Sequence, residues 1–164
     1  MGSTRFPGKP MEKILDMPMI GHVYQRIKTN KFLDDVIVAT CDSEINNYIH
    51  SIGGKSIMTS NKHERASDRC AEALLKIESK KKTRYDIVVM VQGDEPMVYS
   101  EMITESIRPM LNDSNILITN LIGKIKTRSE FEDPNCVKVV CDQNGDALYF
   151  SREPIPNTKD INKI

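Results

Sequence analysis

Residues 86–97 read DIVVMVQGDEPM, and the reading of this stretch decides the fold. Ile87-Val88-Val89-Met90-Val91 is continuously apolar and rich in β-branched residues, the pattern of a parallel strand buried on both faces. Directly after it come Gln92, Gly93, Asp94 and Glu95, with Pro96 stiffening the exit. A carboxylate at the end of a buried strand is costly unless a cation or a set of donors sits beside it. In open parallel sheets, ligands bind beyond the carboxyl ends of the strands, which is where Asp94 falls.

Moving outward, Val36-Ile37-Val38-Ala39-Thr40 is a second run of the same kind, and Ser56-Ile57-Met58 is a shorter one. Helical patterns separate them. Met19, Ile20, Val23, Tyr24 and Ile27 share one stripe, as do Ala71, Leu74, Leu75 and Ile77. Ser43 and Ser67 stand where N-caps are expected, Gly53-Gly54 ends the helix begun near Ser43, and Ser100-Glu101 opens a helix over 101–111. Alternating strands and helices predict an α/β fold with a mostly parallel sheet. After residue 114, Ile116–Leu121 reads as a further strand. The segments 136–141 and 146–151 flank Asp142-Gln143-Asn144-Gly145, a strong hairpin signal, so an antiparallel β-hairpin ribbon is expected beside the parallel sheet. The exposed edge of that ribbon calls for a cover.

The chain has 164 residues, with 23 Lys+Arg against 23 Asp+Glu, which suits a single domain over 1–164 with a real core. The even balance gives no overall attraction to nucleic acid or to an anionic membrane. No apolar run is long enough for membrane insertion, and the amino terminus lacks the plan of a signal peptide. Cys41, Cys70, Cys136 and Cys141 show neither paired zinc spacing nor a disulfide framework. The expected location is cytoplasmic.

Three segments carry chemistry. Gln92, Asp94 and Glu95 cluster directly after the most apolar run, where a carboxylate is well placed to hold a hard divalent cation that bridges to phosphate oxygens, although an isolated Gly-Asp is more often a turn cap. Gly2-Ser3-Thr4-Arg5-Phe6-Pro7-Gly8-Lys9-Pro10 combines small residues, whose N–H groups can approach phosphate, with two cations. It lacks the Walker spacing, because Pro10 follows Gly8-Lys9, and by itself a basic terminal turn reads equally well. His63-Glu64-Arg65-Ala66-Ser67-Asp68-Arg69 enters a helix whose N-terminal amides can serve polar ligand groups; by composition alone it reads as a capped helix start with a solvated charge cluster.

Taken together, RFPGKP (5–10), HERASDR (63–69), VQGDEPM (91–97) and VKVVCDQNGDALYFSREPIP (137–156) resemble the 3-deoxy-manno-octulosonate cytidylyltransferases, the CMP-Kdo synthetases. The resemblance runs over essentially the whole chain. It implies a Rossmann-like nucleotide-diphospho-sugar transferase fold and a reaction of CTP with a 2-keto-3-deoxy sugar acid, Kdo or a related acidic sugar, giving a CMP-sugar and pyrophosphate for lipopolysaccharide biosynthesis. By the same resemblance Arg5, Lys9 and Asp94 are the catalytic residues. Ser3, Arg5, Lys9, Ser67, Asp68, Arg69 and Gln92 bind nucleotide, Gln92 and Arg152 face the sugar, and Asp94 ligates Mg2+. A homodimer with the 136–151 ribbon near its interface is also implied.

Two departures from the family pattern stand out. The family's first strand, central in the sheet and ending Ile-Pro-Ala-Arg, has no counterpart before Met1-Gly2. The sugar-binding segment, a second magnesium-binding aspartate and the C-terminal helix have none after Pro156. The expectation is a chain truncated at both ends that binds CTP weakly and turns over slowly or not at all. In the loop, Arg65 and Ala66 stand where the family commonly has serine and glycine, which bears on nucleotide or sugar preference. The competing readings are a sialic-acid-type cytidylyltransferase and a non-catalytic nucleotide-binding or dimerisation unit.

Overall fold

Helix α1, Met19–Lys28, organises the first part of the chain. Its stripe Ile20, Val23, Tyr24 and Ile27 is buried, and Arg26 and Lys28 in the last turn complement the negative end of the helix dipole. Ile20 and Tyr24 pack on Ile45 and Ile49 of α2, Ser43–Ser51, and on Val36 and Val38. Val23 and Ile27 pack on Ile103 of α4, Ser100–Asn112, and on Val89 and Val91. Each such aliphatic side chain contributes about 1.5–3 kcal/mol on full burial, and α1 carries both clusters, which meet at Val36. The structure, a computed structural model, describes residues 8–157, which fall into two compact units that divide between Thr119 and Asn120.

In the first unit, β1, Lys13–Ile14, and β2, Met17–Pro18, form a small antiparallel hairpin turning through Leu15 at φ 56°. Neither was evident in the sequence. The expected strand 36–40 is β3, Val38–Thr40, which pairs in parallel with β4, Ser56–Met58. The cap of α2 is Asp42, whose carboxylate accepts the Glu44 N–H at 2.9 Å, so Ser43 is the first helical residue and not the cap. Gly53, at φ 70°, closes that helix as expected, and the Gly54 N–H bonds to the Ile49 carbonyl at 2.8 Å. Helix α3 runs Ala66–Lys81 with Arg65 as its N-cap residue, so Ser67 lies inside the first turn and does not cap it. Helix α4 begins one residue earlier than predicted, after Tyr99.

The expected strand 86–91 is corrected. Burial alternates along Ile87–Val91 with the two-residue period of an extended chain, yet among the described residues these amides and carbonyls enter no ladder. β3 is paired on one edge by β4, and a cavity lies between its other edge and this segment. Val89 and Val91 are held by the α1 core, whereas Val88 and Met90 are 50% and 46% exposed. The segment at 116–121 also forms no ladder, with Leu117 and Ile118 exposed.

In the second unit, α5, Arg128–Glu132, starts with a reciprocal capping box between Thr127 and Glu130 and buries Phe131. The expected ribbon is present as β5, Lys138–Cys141, antiparallel to β6, Ala147–Ser151. Its turn is longer than a two-residue Asn-Gly turn. The Asp142 carboxylate accepts the N–H groups of Asn144 and Asp146, and Gly145 takes φ 90°. Lys138 is buried and donates to the carbonyls of Asp133 and Arg152, which pins the foot of the ribbon.

Candidate functional site

The described chain begins in a tight turn. Gly8, at φ 77°, precedes a short 3-10 helix, Lys9–Met11, in which Pro10 fixes the first turn. The Met11 N–H bonds to the Gly8 carbonyl at 2.8 Å. The turn then binds back to α1, with the Met19 N–H on the Glu12 carbonyl. This geometry aims Lys9 at a second turn, where the Glu95 N–H reaches the Gln92 carbonyl at 3.2 Å and the Val98 N–H reaches that of Glu95. Gly93 lets this turn settle on α1, since a Cβ there would stand 2.8 Å from Ile20 Cδ1.

The outcome is an ion pair across the fold: Lys9 Nζ lies 2.8 Å from Asp94 Oδ2, both side chains a little more than one-third exposed. The charge demanded by the carboxylate at the end of the apolar run is therefore supplied by the amino-terminal turn. Lys9, Arg69, Gln92 and Asp94 line one cavity of about 1010 Å3, which Ala66 also touches. Three of the sequence segments thus converge on shared space. Ser67 and Asp68 are on the exposed first turn of α3 and do not line that cavity. Ser3 and Arg5 lie outside the described residues. Arg152 belongs to the second unit, where its guanidinium donates to the Pro134 carbonyl at 2.8 Å.

The loop entering α3 is held by side chains from the helix itself. Arg69 donates through Nη1 to Thr59 Oγ1 at 2.6 Å and to the Ser60 carbonyl at 3.1 Å. Glu72 collects Lys76 Nζ, the Ser60 N–H and His63 Nε2. Lys76 foremost, then the Ser60 amide and His63, hold the Glu72 carboxyl down at about 2. The sequence reading missed Glu72. The available signal was an acidic residue one turn beyond Arg69 on the loop-facing side of an amphipathic helix.

A comparable hub lies at the far end of the cavity. Asp35, just before the 36–40 run, accepts from Lys55 at 2.5 Å, from Lys81 and from the Tyr85 hydroxyl at 2.5 Å. The Lys55 hydrogen bond, with those of Lys81 and Tyr85, holds the Asp35 carboxyl far below the usual carboxylate range.

At the Lys9 end of the cavity, Asp94 is the carboxylate placed for a divalent cation. Among the described residues no group of three or more His, Cys, Asp or Glu side chains converges. Asp94 alone fits a hard, oxygen-loving ion only if a ligand's own oxygens complete the shell, the arrangement magnesium adopts with phosphates.

The α/β fold sets a carboxylate, with a cation beside it, beyond the end of an apolar run, where open α/β folds bind their ligands. The family model described as "Cytidylyltransferase" matches residues 1–164, and the chain belongs to that family. It is 49% identical over 157 residues, 94% of its own length, to the 3-deoxy-manno-octulosonate cytidylyltransferase of Thermodesulfovibrio yellowstonii. It is 46% identical over 158 residues, 96% of its length, to that of Geotalea uraniireducens. In each case it spans 61% of the relative's length. Its fold is similar to a CMP:2-keto-3-deoxy-manno-octonic acid synthetase solved in complex with CTP, with TM-score 0.79, 36% identity, and coverage of 99% of this chain and 65% of that one.

Proposed function

We propose that this chain binds CTP at the Lys9–Asp94 site and contributes to its coupling with Kdo or a related acidic sugar, yielding a CMP-sugar and pyrophosphate. The observation that carries the reading is the meeting of Lys9, Arg69, Gln92 and Asp94 on one cavity. Family membership and the CTP-bound structural relative support it.

In the reaction, the anomeric hydroxyl oxygen of the sugar acid attacks the α-phosphorus. A new P–O bond forms, the α–β phosphoanhydride bond breaks, pyrophosphate leaves with the electron pair, and the hydroxyl proton passes to solvent. Such transfers depend on positioning and charge stabilisation and need no nucleophilic side chain. Lys9, with Arg5, neutralises charge on the triphosphate. Gln92 offers an amide to sugar or ribose hydroxyls, and Arg69, which borders the cavity, is the member of the 67–69 segment within reach of the cytidine. Asp94 would be the residue to hold a magnesium ion, whose chemistry would be Lewis-acid polarisation of the α-phosphoryl group.

These residues alone should bind CTP weakly and turn over slowly. A cytoplasmic homodimer acting in lipopolysaccharide synthesis completes the reading; no helix among the described residues is long and apolar enough to cross a membrane.

Calorimetry with CTP, with and without magnesium, tests the proposal on this chain and on Asp94→Ala. The expected result is a magnesium-dependent component of binding that Asp94→Ala loses. Unchanged magnesium dependence in that variant would remove Asp94 from the site. An assay for CMP-sugar over a panel of sugar acids then reports the acceptor.

A further inference from the structure

The loop that leads from β4 into α3 is tied to that helix at several points, and the ties meet at Ser60. The Ser60 carbonyl accepts Arg69 Nη1 at 3.1 Å, while the Ser60 N–H donates to Glu72 Oε2 at 2.9 Å. His63 Nε2 meets the same carboxylate oxygen. Lys76 bonds to Glu72 Oε1 at 2.6 Å and to the Met58 carbonyl at 2.9 Å. Glu72 therefore fastens Met58, Ser60 and His63, directly or through Lys76. Thr59, between the first two, has its own N–H on the Thr40 carbonyl at 2.8 Å.

Arg69 and Glu72 are three positions apart in α3, so they share a face of the helix. The link between them is Ser60, whose two backbone groups are divided between their side chains. Arg69 docks on the loop through Nη1 alone, on the Ser60 carbonyl and on Thr59 Oγ1 at 2.6 Å. A guanidinium is a rigid planar fork, so fixing Nη1 sets the direction of Nε and Nη2 and leaves their N–H groups for a ligand. Arg69 borders the cavity that Lys9, Gln92 and Asp94 also line, whereas Glu72 does not. Holding a long side chain in one geometry before a ligand arrives lowers the entropy cost of binding. The hold on Arg69 is as firm as the loop beneath it, and Glu72 fastens that loop.

We propose that Glu72 is a positioning residue for nucleotide binding: through Ser60 it fixes the loop that holds the Arg69 guanidinium at the cavity. The nucleotide part rests on the reading of the cavity as a CTP site. The placement of Arg69 concerns this chain alone.

Two measurements on the full 164-residue chain test it. The first needs no ligand. Nitrogen NMR reports rotation of the Arg69 guanidinium, its signals assigned by their loss in Arg69→Ala. Rotation should quicken roughly tenfold or more in Glu72→Ala, the scale of one lost hydrogen-bonded anchor. Unchanged rotation would overturn the proposal. Should Glu72→Ala fail to fold, Glu72→Asp, whose carboxylate stops one methylene short of Ser60, is held to the direction of the same change. The second measurement is calorimetry with CTP. Glu72→Ala should weaken binding roughly tenfold when Arg69 is present and less than about twofold in an Arg69→Ala background. Equal weakening in both backgrounds would overturn the proposal, because a merely structural role acts whether or not Arg69 is there. Absence of CTP binding by the native chain would contradict the CTP reading, and rotation would still decide the placement of Arg69.

Discussion

Lys9 Nζ stands 2.8 Å from Asp94 Oδ2, joining two turns 85 positions apart in the chain. The pair neutralises the carboxylate that closes the apolar run, and under the proposed function it is where a nucleotide's charge is received. Lys9 can move from Asp94 to a phosphate because both side chains are partly exposed and an exposed pair is worth about 1 kcal/mol or less.

Lys9→Met should therefore shift thermal stability by under about 1 kcal/mol. It should weaken magnesium-free CTP binding roughly tenfold or more, the range of one lost charge-assisted contact. Paired melting and calorimetry distinguish the two effects. A large stability loss would make the pair structural.

Gly93→Ala places a methyl group 2.8 Å from Ile20 Cδ1. That atom is the free end of a flexible side chain, so the cost should be about 1 kcal/mol, at the low end for overpacking. The displaced turn carries Asp94, and CTP binding should fall with it. Adding Ile20→Val, which removes the colliding methyl, should restore binding; failure to rescue would locate the defect elsewhere.

The α3 entry loop should loosen in acid. The Glu72 carboxyl is held at about 2, below its usual value of 4.5. A depressed carboxyl stabilises the fold fully above the unfolded value, and that contribution disappears as pH falls through the folded value. Exchange at the Ser60 amide, whose acceptor is Glu72, should accelerate between about pH 4.5 and 2 and hold steady above pH 5. A Glu72→Gln chain should lack the transition.

Asp35→Asn should destabilise by about 2 kcal/mol, because three donors lose a charged acceptor whose side chain is only 10% exposed. The affected contacts join the starts of the two apolar runs. Chemical denaturation provides the measurement, and a change within a few tenths of a kcal/mol would contradict this role for the hub.

Helix α1 was legible because four apolar residues repeat at helical spacing and its burial follows that stripe. The ribbon was legible through its turn residues, although the aspartate-bonded loop around Asp142 makes it longer than Asn-Gly implies. Caps were misplaced by one or two positions at α2 and α3, because adjacent polar residues compete for the same amides and composition does not choose between Asp42 and Ser43. The run 87–91 shows a deeper limit. Apolar content reports that a segment is suited to a strand, but ladder formation depends on a neighbouring edge that no local pattern encodes. The convergence of Lys9 with Asp94 was legible only through family resemblance, since nothing local links residues so far apart. Glu72 was missed because its partners Ser60 and His63 lie in a loop whose path only the fold defines.

The most direct check on the site is paramagnetic. Manganese bound with CTP broadens nearby amide resonances, so the ion's position can be read against the sequence. The account predicts simultaneous broadening at Lys9–Met11 and Gln92–Glu95, abolished by Asp94→Ala. Broadening at one turn without the other, or broadening that survives in Asp94→Ala, would contradict a shared nucleotide site.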